Sequence, residues 1–176
     1  QGKISSFVSE GMSKSNIDAL YEDAEGSLWV GTTTLGLGRL RDGKLTSFSQ
    51  REGLTSRSVW RLLETRDGSI WISDGGGLDR LRDGKSTAFA FAGQQTTQSI
   101  TSLLEGRDGC LWIGTARGGL IRLKDGAVAS FTTKDGLTSD SIGSLLEDRA
   151  GSLWIGTANG LNRLQDGEVS TFTTRD

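Results

Sequence analysis

GSLWIGT, from Gly151 to Thr157, is written four times in this chain: it recurs as GSLWVGT from Gly26, GSIWISD from Gly68 and GCLWIGT from Gly109. The tryptophans inside it, Trp29, Trp71, Trp112 and Trp154, follow one another at 42, 41 and 42 residues. A period of that length marks stacked or radial supersecondary units. The chain is a repeat protein.

Working outward from Gly151, the unit comprises SIGSLLED (Ser141 to Asp148), the tryptophan phrase, GLNRL (Gly160 to Leu164), the pair Asp166-Gly167 and EVSTF ending at Phe172. Each apolar run is too short for a helix and is bounded by Gly and turn residues, so each reads as a strand. Asp42-Gly43, Asp83-Gly84, Asp125-Gly126 and Asp166-Gly167 sit between the third and fourth strands; Asp-Gly suits the positive φ of a tight hairpin turn. Four strands in about 42 residues make one blade of a β-propeller. The expected fold is all-β, with four blades of four antiparallel strands. The expected division is 1–8 as the last strand of a preceding blade, then blades at 9–49, 50–91, 92–132 and 133–176.

Phe7, Phe48, Phe89, Phe131 and Phe172 end five copies of the last strand, against four copies of the other elements. A closed ring of four has no place for the fifth. Two readings follow: a partial ring cut from a longer array, or half of an eight-bladed ring that two chains complete, hiding open edges.

Composition narrows the partners. The 176 residues are 34% hydrophobic and carry a net charge of -2. That balance gives no bulk electrostatic attraction for nucleic acid, and no aromatic-basic stripe supplies a local one. Glycine, at 26 residues, is about double the usual ~7% and punctuates hairpins. No run is apolar enough to span a bilayer, and no signal peptide opens the chain, so no membrane contact is expected of this segment.

Chemistry is scarce. With no histidine there is no imidazole base, no imidazole metal ligand and no phosphoacceptor histidine. One cysteine excludes a disulfide within the chain and a multi-thiolate zinc site, and Cys110 falls inside a repeated strand phrase, where it packs as a small apolar residue. No cofactor and no metal are expected. The single tyrosine, Tyr21, takes the position of Leu63, Leu104 and Leu146, which makes it core rather than a nucleophile. Carboxylate-pair hydrolysis stays open on residue counts alone.

Repetition itself separates scaffold from site. A group that every blade needs recurs; a group that binds one ligand breaks the pattern. Trp29, Trp71, Trp112 and Trp154, with Arg39, Arg80, Arg122 and Arg163, recur and are read as structural, as are Glu22, Glu64, Glu105 and Glu147. A ring of such charges around a channel is the functional alternative. Pattern breakers collect on the rim formed by the fourth-to-first and second-to-third connections: Lys14, Asn16, Thr34, Arg57, Asp74, Gln98, Arg117, Asp140 and Asn159. Trp60 stands where other copies have Asp18, Thr101 and Gly143. It either stacks on the apolar face of a sugar ring or fills space beside a small neighbour.

The residues also carry a resemblance. Leu145-Leu146-Glu147-Asp148, Gly151 to Thr157 and Gly160 to Leu164 resemble the two-component regulator propeller repeats, and the other three copies match with scattered changes. The departures are Ser73-Asp74-Gly75-Gly76-Gly77 in the second copy, Ala92 to Thr97 in place of an Asp-Gly-Leu lead-in, and Cys110 for serine. The resemblance implies blades like those of WD40 and YVTN propellers in a periplasmic or extracellular sensor, ahead of a membrane span and a histidine kinase or other output. It implies a ligand at the channel mouth, a carbohydrate or another small molecule, and no catalysis by the segment itself. A protein-interaction scaffold and a propeller glycoside hydrolase are the competing classes.

Overall fold

The computed structural model describes residues 15–74, 77–91, 94–95 and 99–172, mainly as strands joined by turns and short 3-10 segments. The first sheet runs β1 (Ile17–Glu22), β2 (Leu28–Thr32), β3 (Leu37–Arg41), β4 (Lys44–Phe48). The second runs β5 (Val59–Glu64), β6 (Ile70–Asp74), β7 (Gly77–Arg82), β8 (Lys85–Phe91), with a two-residue β9 (Gln94–Gln95) against β8. The third is β10 (Ile100–Glu105), β11 (Leu111–Thr115), β12 (Leu120–Lys124), β13 (Ala127–Phe131). The fourth is β14 (Ile142–Glu147), β15 (Leu153–Thr157), β16 (Gly160–Gln165), β17 (Glu168–Phe172). Strands follow chain order in every sheet, and every pairing is antiparallel. These are four propeller blades. The strand expected at Gly2 to Phe7 lies outside the described residues, and Gln94-Gln95, which the sequence division assigned to the third blade, pairs with β8 of the second.

Local chemistry sets the hairpins. In the four Asp-Gly turns the aspartates hold φ of 48°, 51°, 49° and 53°, followed by glycines that are also at positive φ. Two successive left-handed residues make the turn whose twist matches the flanking strands. The lead-ins to β5 and β14 are single 3-10 turns, Gln50–Glu52 and Thr133–Asp135, each closed by a capping box (Ser49 with Glu52, Thr132 with Asp135) and a left-handed glycine. Leu54 and Leu137, just after them, are buried.

Each blade presents a tryptophan face to the next blade's aliphatic face. Trp29, Leu37 and Phe48 of blade 1 pack on Val59, Ile70, Ile72 and Leu81 of blade 2. Trp71 and Leu78 pack on Ile100, Leu111, Ile113 and Leu123. Trp112 and Leu120 pack on Ile142, Leu153, Ile155 and Leu164. Among the described residues the two outer faces have no such cover: Ile17 and Leu20 on blade 1 are 56% and 63% exposed, and Leu146, Leu161 and Phe172 on blade 4 are 62%, 40% and 41% exposed. Blade 4's tryptophan face holds an apolar hollow of about 390 Å³ lined by Leu145, Leu146, Trp154 and Leu161. The described residues form an open arc.

The recurring glutamates cross between blades. Glu64 accepts from the Ala24 amide at 2.8 Å, Glu105 from Arg66 at 2.9 Å and Glu147 from Arg107 at 2.8 Å. The end of each inner strand thereby holds the first turn of the preceding blade. A charge-assisted bond of this kind contributes about 1–2 kcal/mol when partly solvated. Glu147→Ala is expected to lower the unfolding free energy by that amount, read from the urea midpoint at constant slope, whereas Glu22→Ala, on a strand with no described blade before it, is expected to leave the midpoint within error.

Candidate functional site

The pattern-breaking residues occupy the rim of the β2–β3-type turns and the lead-in segments, with Lys14 and Gln98 outside the described residues. Backbone bonds interlock the loops that carry the others. The Arg57 carbonyl accepts from Gly36 at 2.8 Å, and the Asp140 carbonyl accepts from Gly119 at 2.9 Å. Arg57 is thus set against blade 1's turn containing Thr34, and Asp140 against blade 3's turn containing Arg117. Asn16 closes its own blade, its carbonyl accepting from Thr33 at 3.1 Å.

Their side chains differ in availability. Asn16, Arg57, Arg117 and Asn159 are exposed, and Asn159 Nδ2 donates to the Thr138 carbonyl at 3.3 Å. Asp140 is half-buried and accepts from the Thr133 amide at 2.6 Å, which ties it to its own lead-in turn. Asp74 is buried in the contact between blades 1 and 2, where it accepts from Thr55 and Ser56.

Trp60 marks a device that the repeat pattern alone did not disclose. All four inner strands slip register at one residue, between Ile17 and Ala19, Val59 and Arg61, Ile100 and Ser102, and Ile142 and Ser144. The extra residues are Asp18, Trp60, Thr101 and Gly143, a different residue in every copy. A bulge re-aims a side chain out of the pleat, so variable residues sit where the scaffold does not dictate identity. Trp60 is half-buried, and its indole donates to Ser58 Oγ at 2.9 Å. Arg61 and Thr101 bridge neighbouring inner strands: Arg61 Nε donates to the Thr101 carbonyl at 3.0 Å, and Thr101 Oγ1 to the Ile142 carbonyl at 2.6 Å.

Three clefts lie on the opposite rim, one between each pair of blades, with volumes of about 200, 670 and 470 Å³ in chain order. Each is walled by the tryptophan and arginine of one blade and by the Asp-Gly turn of the next. The arginines cover the rings: Arg39 over Trp29 at 5.2 Å, Arg80 over Trp71 at 5.7 Å, Arg122 over Trp112 at 5.6 Å and Arg163 over Trp154 at 5.9 Å. A turn carboxylate closes each first hairpin. Asp23 and Asp148 accept from Trp29 and Trp154, both at 2.8 Å, whereas Asp67 and Asp108, two residues later in the turn, accept from Arg80 and Arg122, both at 2.6 Å.

Burial alone would raise the Asp67 carboxyl, but hydrogen bonds from Thr65 and Ser69 and the Arg80 charge outweigh it and hold the group at about 2. Hydrogen bonds from Cys110, with Lys124 and Arg122, hold Asp108 well below the usual carboxylate range. Burial, reinforced by Asp108, pushes the Cys110 thiol up to about 11, which keeps it a thiol at neutral pH. Sequence reasoning set these recurring groups aside as scaffold, and so gave no sign of the clefts between them. Among the described residues no cluster of three His, Cys, Asp or Glu side chains is arranged to hold a metal, and no helix is long and apolar enough to cross a membrane.

Blades with a tryptophan face, an inner-strand bulge and Asp-Gly hairpins define a β-propeller module. The family model for the two component regulator propeller matches four times, at residues 11–34, 53–76, 94–117 and 136–159, together more than half of the chain. The chain belongs to that family. No curated protein sequence matches it. Among solved structures it is similar to the extracellular domain of BT3049 from B. thetaiotaomicron, assigned as a hybrid two component system, with TM-score 0.80 and 22% identity over 93% of this chain and 23% of that one. The extracellular domain of BT4673 from the same organism aligns with TM-score 0.78 and 18% identity over 95% of this chain and 26% of that one. Virginiamycin B lyase from Staphylococcus aureus aligns with TM-score 0.71 and 18% identity over 88% and 54% of the two chains. The chain therefore spans about a quarter of the two extracellular domains and about half of the lyase. At these identities the likeness is one of fold.

Proposed function

We propose that this segment is the ligand-sensing part of a two-component-type signalling receptor, placed in the periplasm or outside the cell and without catalysis of its own. The observation that carries the reading is the bulge row: in a chain of two component regulator propeller repeats, the position that changes from Asp18 to Trp60, Thr101 and Gly143 is the one the inner-strand bulge turns out of the pleat. Trp60 offers a stacking surface to a carbohydrate, and exposed Asn16, Arg57, Arg117 and Asn159 offer hydrogen bonds on the same rim. Ligand held there biases the relative placement of blades, and an output module reads the shift in population.

Binding on a glycan array tests this reading, followed by titration of the best glycan against Trp60→Ala. Loss of a stacking ring weakens binding by about tenfold while the melting curve is kept. A folded parent that retains no glycan, or a Trp60→Ala variant with parental affinity, would remove Trp60 from any sugar site.

The uncovered faces favour a second reading, a scaffold that associates through its ends. Three internal interfaces join a tryptophan face to an aliphatic face of the next blade, and blade 4's Trp154 face and blade 1's Ile17–Leu20 face are the same two halves, left unjoined among the described residues. The partner proposed for them is a second copy of this chain. Light scattering that gives twice 18.8 kDa supports the paired ring; a stable monomer at high concentration refutes it.

A further inference from the structure

Blade 2 carries two carboxylates where blade 4 carries none. Cross-strand register puts Val59, Ile72, Asp74 and Asp79 on one face of the blade, the face applied to blade 1. Asp74 is 2% exposed and Asp79 is fully buried. Both turn to one residue of the lead-in: Thr55 Oγ1 lies 3.0 and 2.9 Å from the two oxygens of Asp74 and 3.2 Å from Asp79 Oδ2. The Thr55 amide donates to Asp79 Oδ2 at 2.7 Å and the Ser56 amide to Asp74 Oδ2 at 2.9 Å. A hydroxyl has one proton to donate, and three carboxylate oxygens face this one. Asp79 Oδ1 is buried with no hydrogen-bond partner.

Blade 4 builds the same joint from neutral groups. Thr138 takes the place of Thr55, Thr157 of Asp74 and Asn162 of Asp79. The Thr138 amide and hydroxyl donate to Asn162 Oδ1 at 3.1 and 2.7 Å, and the Thr138 and Thr157 hydroxyls are 2.7 Å apart. A carboxylic acid in place of the amide or hydroxyl reproduces this network; two carboxylates do not.

Among the described residues the surrounding charges are engaged elsewhere or lie at the surface. On β7, Arg80 reaches Ser69 and Asp67, and Arg82 reaches Asp67 and Asp83. On β5, Arg61 is spent on the Trp60 and Thr101 carbonyls and Glu64 on Ala24. Glu52 caps its own turn, and Arg51, Arg57 and Lys85 are exposed. From blade 1, Arg39 and Arg41 pair with Asp23 and Glu25, Asp18 and Lys44 are exposed, and Tyr21 packs beside Glu64.

We propose that Asp79, facing Asp74 across the Thr55 hydroxyl, is the proton-bearing member of a pH-sensitive latch in blade 2, closing the Thr55–Arg57 lead-in onto β6 and β7 when protonated and releasing it when the proton leaves. The Arg57 carbonyl accepts from Gly36 in blade 1's turn, so release displaces the rim at that point. Burial pushes Asp79 up to about 6, the Asp74 charge adds to it, and the Thr55 amide opposes it. The sign follows from linkage: an acid whose folded value lies above its unfolded one stabilises the fold at low pH, and that contribution is lost as pH rises from about 4 to about 6. The latch does not depend on which ligand the rim binds.

The test compares this chain with the double variant Asp74→Thr, Asp79→Asn, which installs blade 4's neutral joint. Between pH 4 and pH 7 the folding equilibrium of the parent is expected to fall by about a hundredfold relative to the variant, read from urea midpoints; parallel pH profiles overturn the latch. Amide exchange in the parent alone gives a second readout, with Thr138 as internal reference. Protection at Thr55 and Ser56, corrected for intrinsic rates, is expected to drop above pH 6 while Thr138 holds. An equal response at both joints overturns the proposal even where the variant does not fold.

Discussion

Trp112→Ala is expected to lower the unfolding free energy by about 3–5 kcal/mol, measured as a shift in denaturant midpoint at constant slope. The ring is 8% exposed and lies under Leu137, Ile142, Leu153, Ile155 and Leu164 of blade 4. Phe131 from its own blade lies 5.9 Å away between ring centroids, and the Arg122 guanidinium lies over the ring at 5.6 Å. Truncation removes the filler of one inter-blade contact and leaves a cavity that two rigid sheets cannot collapse to fill. A midpoint within error of the parent would refute the packing role of the repeated tryptophan.

Trp154→Ala supplies the contrast. The residue keeps the phrase, the Phe172 ring at 5.5 Å and the Asp148 hydrogen bond, but no described blade covers its face. Its expected cost is about 1–2 kcal/mol, since only part of its area is withdrawn from water. If a second copy docks on that face, the cost rises with protein concentration toward that of Trp112→Ala. The same variant therefore reads both packing and association.

The four blades were legible because strand signals, Asp-Gly turns and tryptophans recur at one step, and periodicity survives substitutions such as Ser73-Asp74 for Gly-Thr. The rim was legible only as a list of odd residues. Sequence placed Asp74 among rim ligands, since a polar residue after a strand reads as a loop; its burial depends on Thr55, nineteen residues earlier, folding over it. The bulge at Trp60 left no local mark, because the slip shows only when β5 is registered against β6. The clefts beside Trp71 and Trp112 were hidden by the rule that found the rim: recurrence was taken as the signature of scaffold, and in a propeller the space between blades recurs too.

The glycine of the tryptophan phrase is set by the next blade, and Gly114→Ala is expected to cost about 1–3 kcal/mol. A Cβ built on Gly114 meets Ile142 Cγ2 at 2.7 Å and Ile142 Cβ at 3.1 Å, and also meets Ser102 Oγ. The serine can rotate away. The isoleucine is β-branched, stiff at χ1 and buried in the contact, so blades 3 and 4 must part to admit a methyl group. Gly31 faces Val59 Cγ1 at the same 2.7 Å, whereas a Cβ on Gly156, beyond which no described blade follows, meets only Ser144 Oγ closely. Gly156→Ala is therefore expected to stay within about 0.5 kcal/mol of the parent. Blade 2 has already made the exchange: Ser73 stands at this position, its hydroxyl buried without a hydrogen-bond partner. If Gly114→Ala matched the parent in urea midpoint, the fit of glycine to the facing β-branched residue would not be what fixes blade spacing.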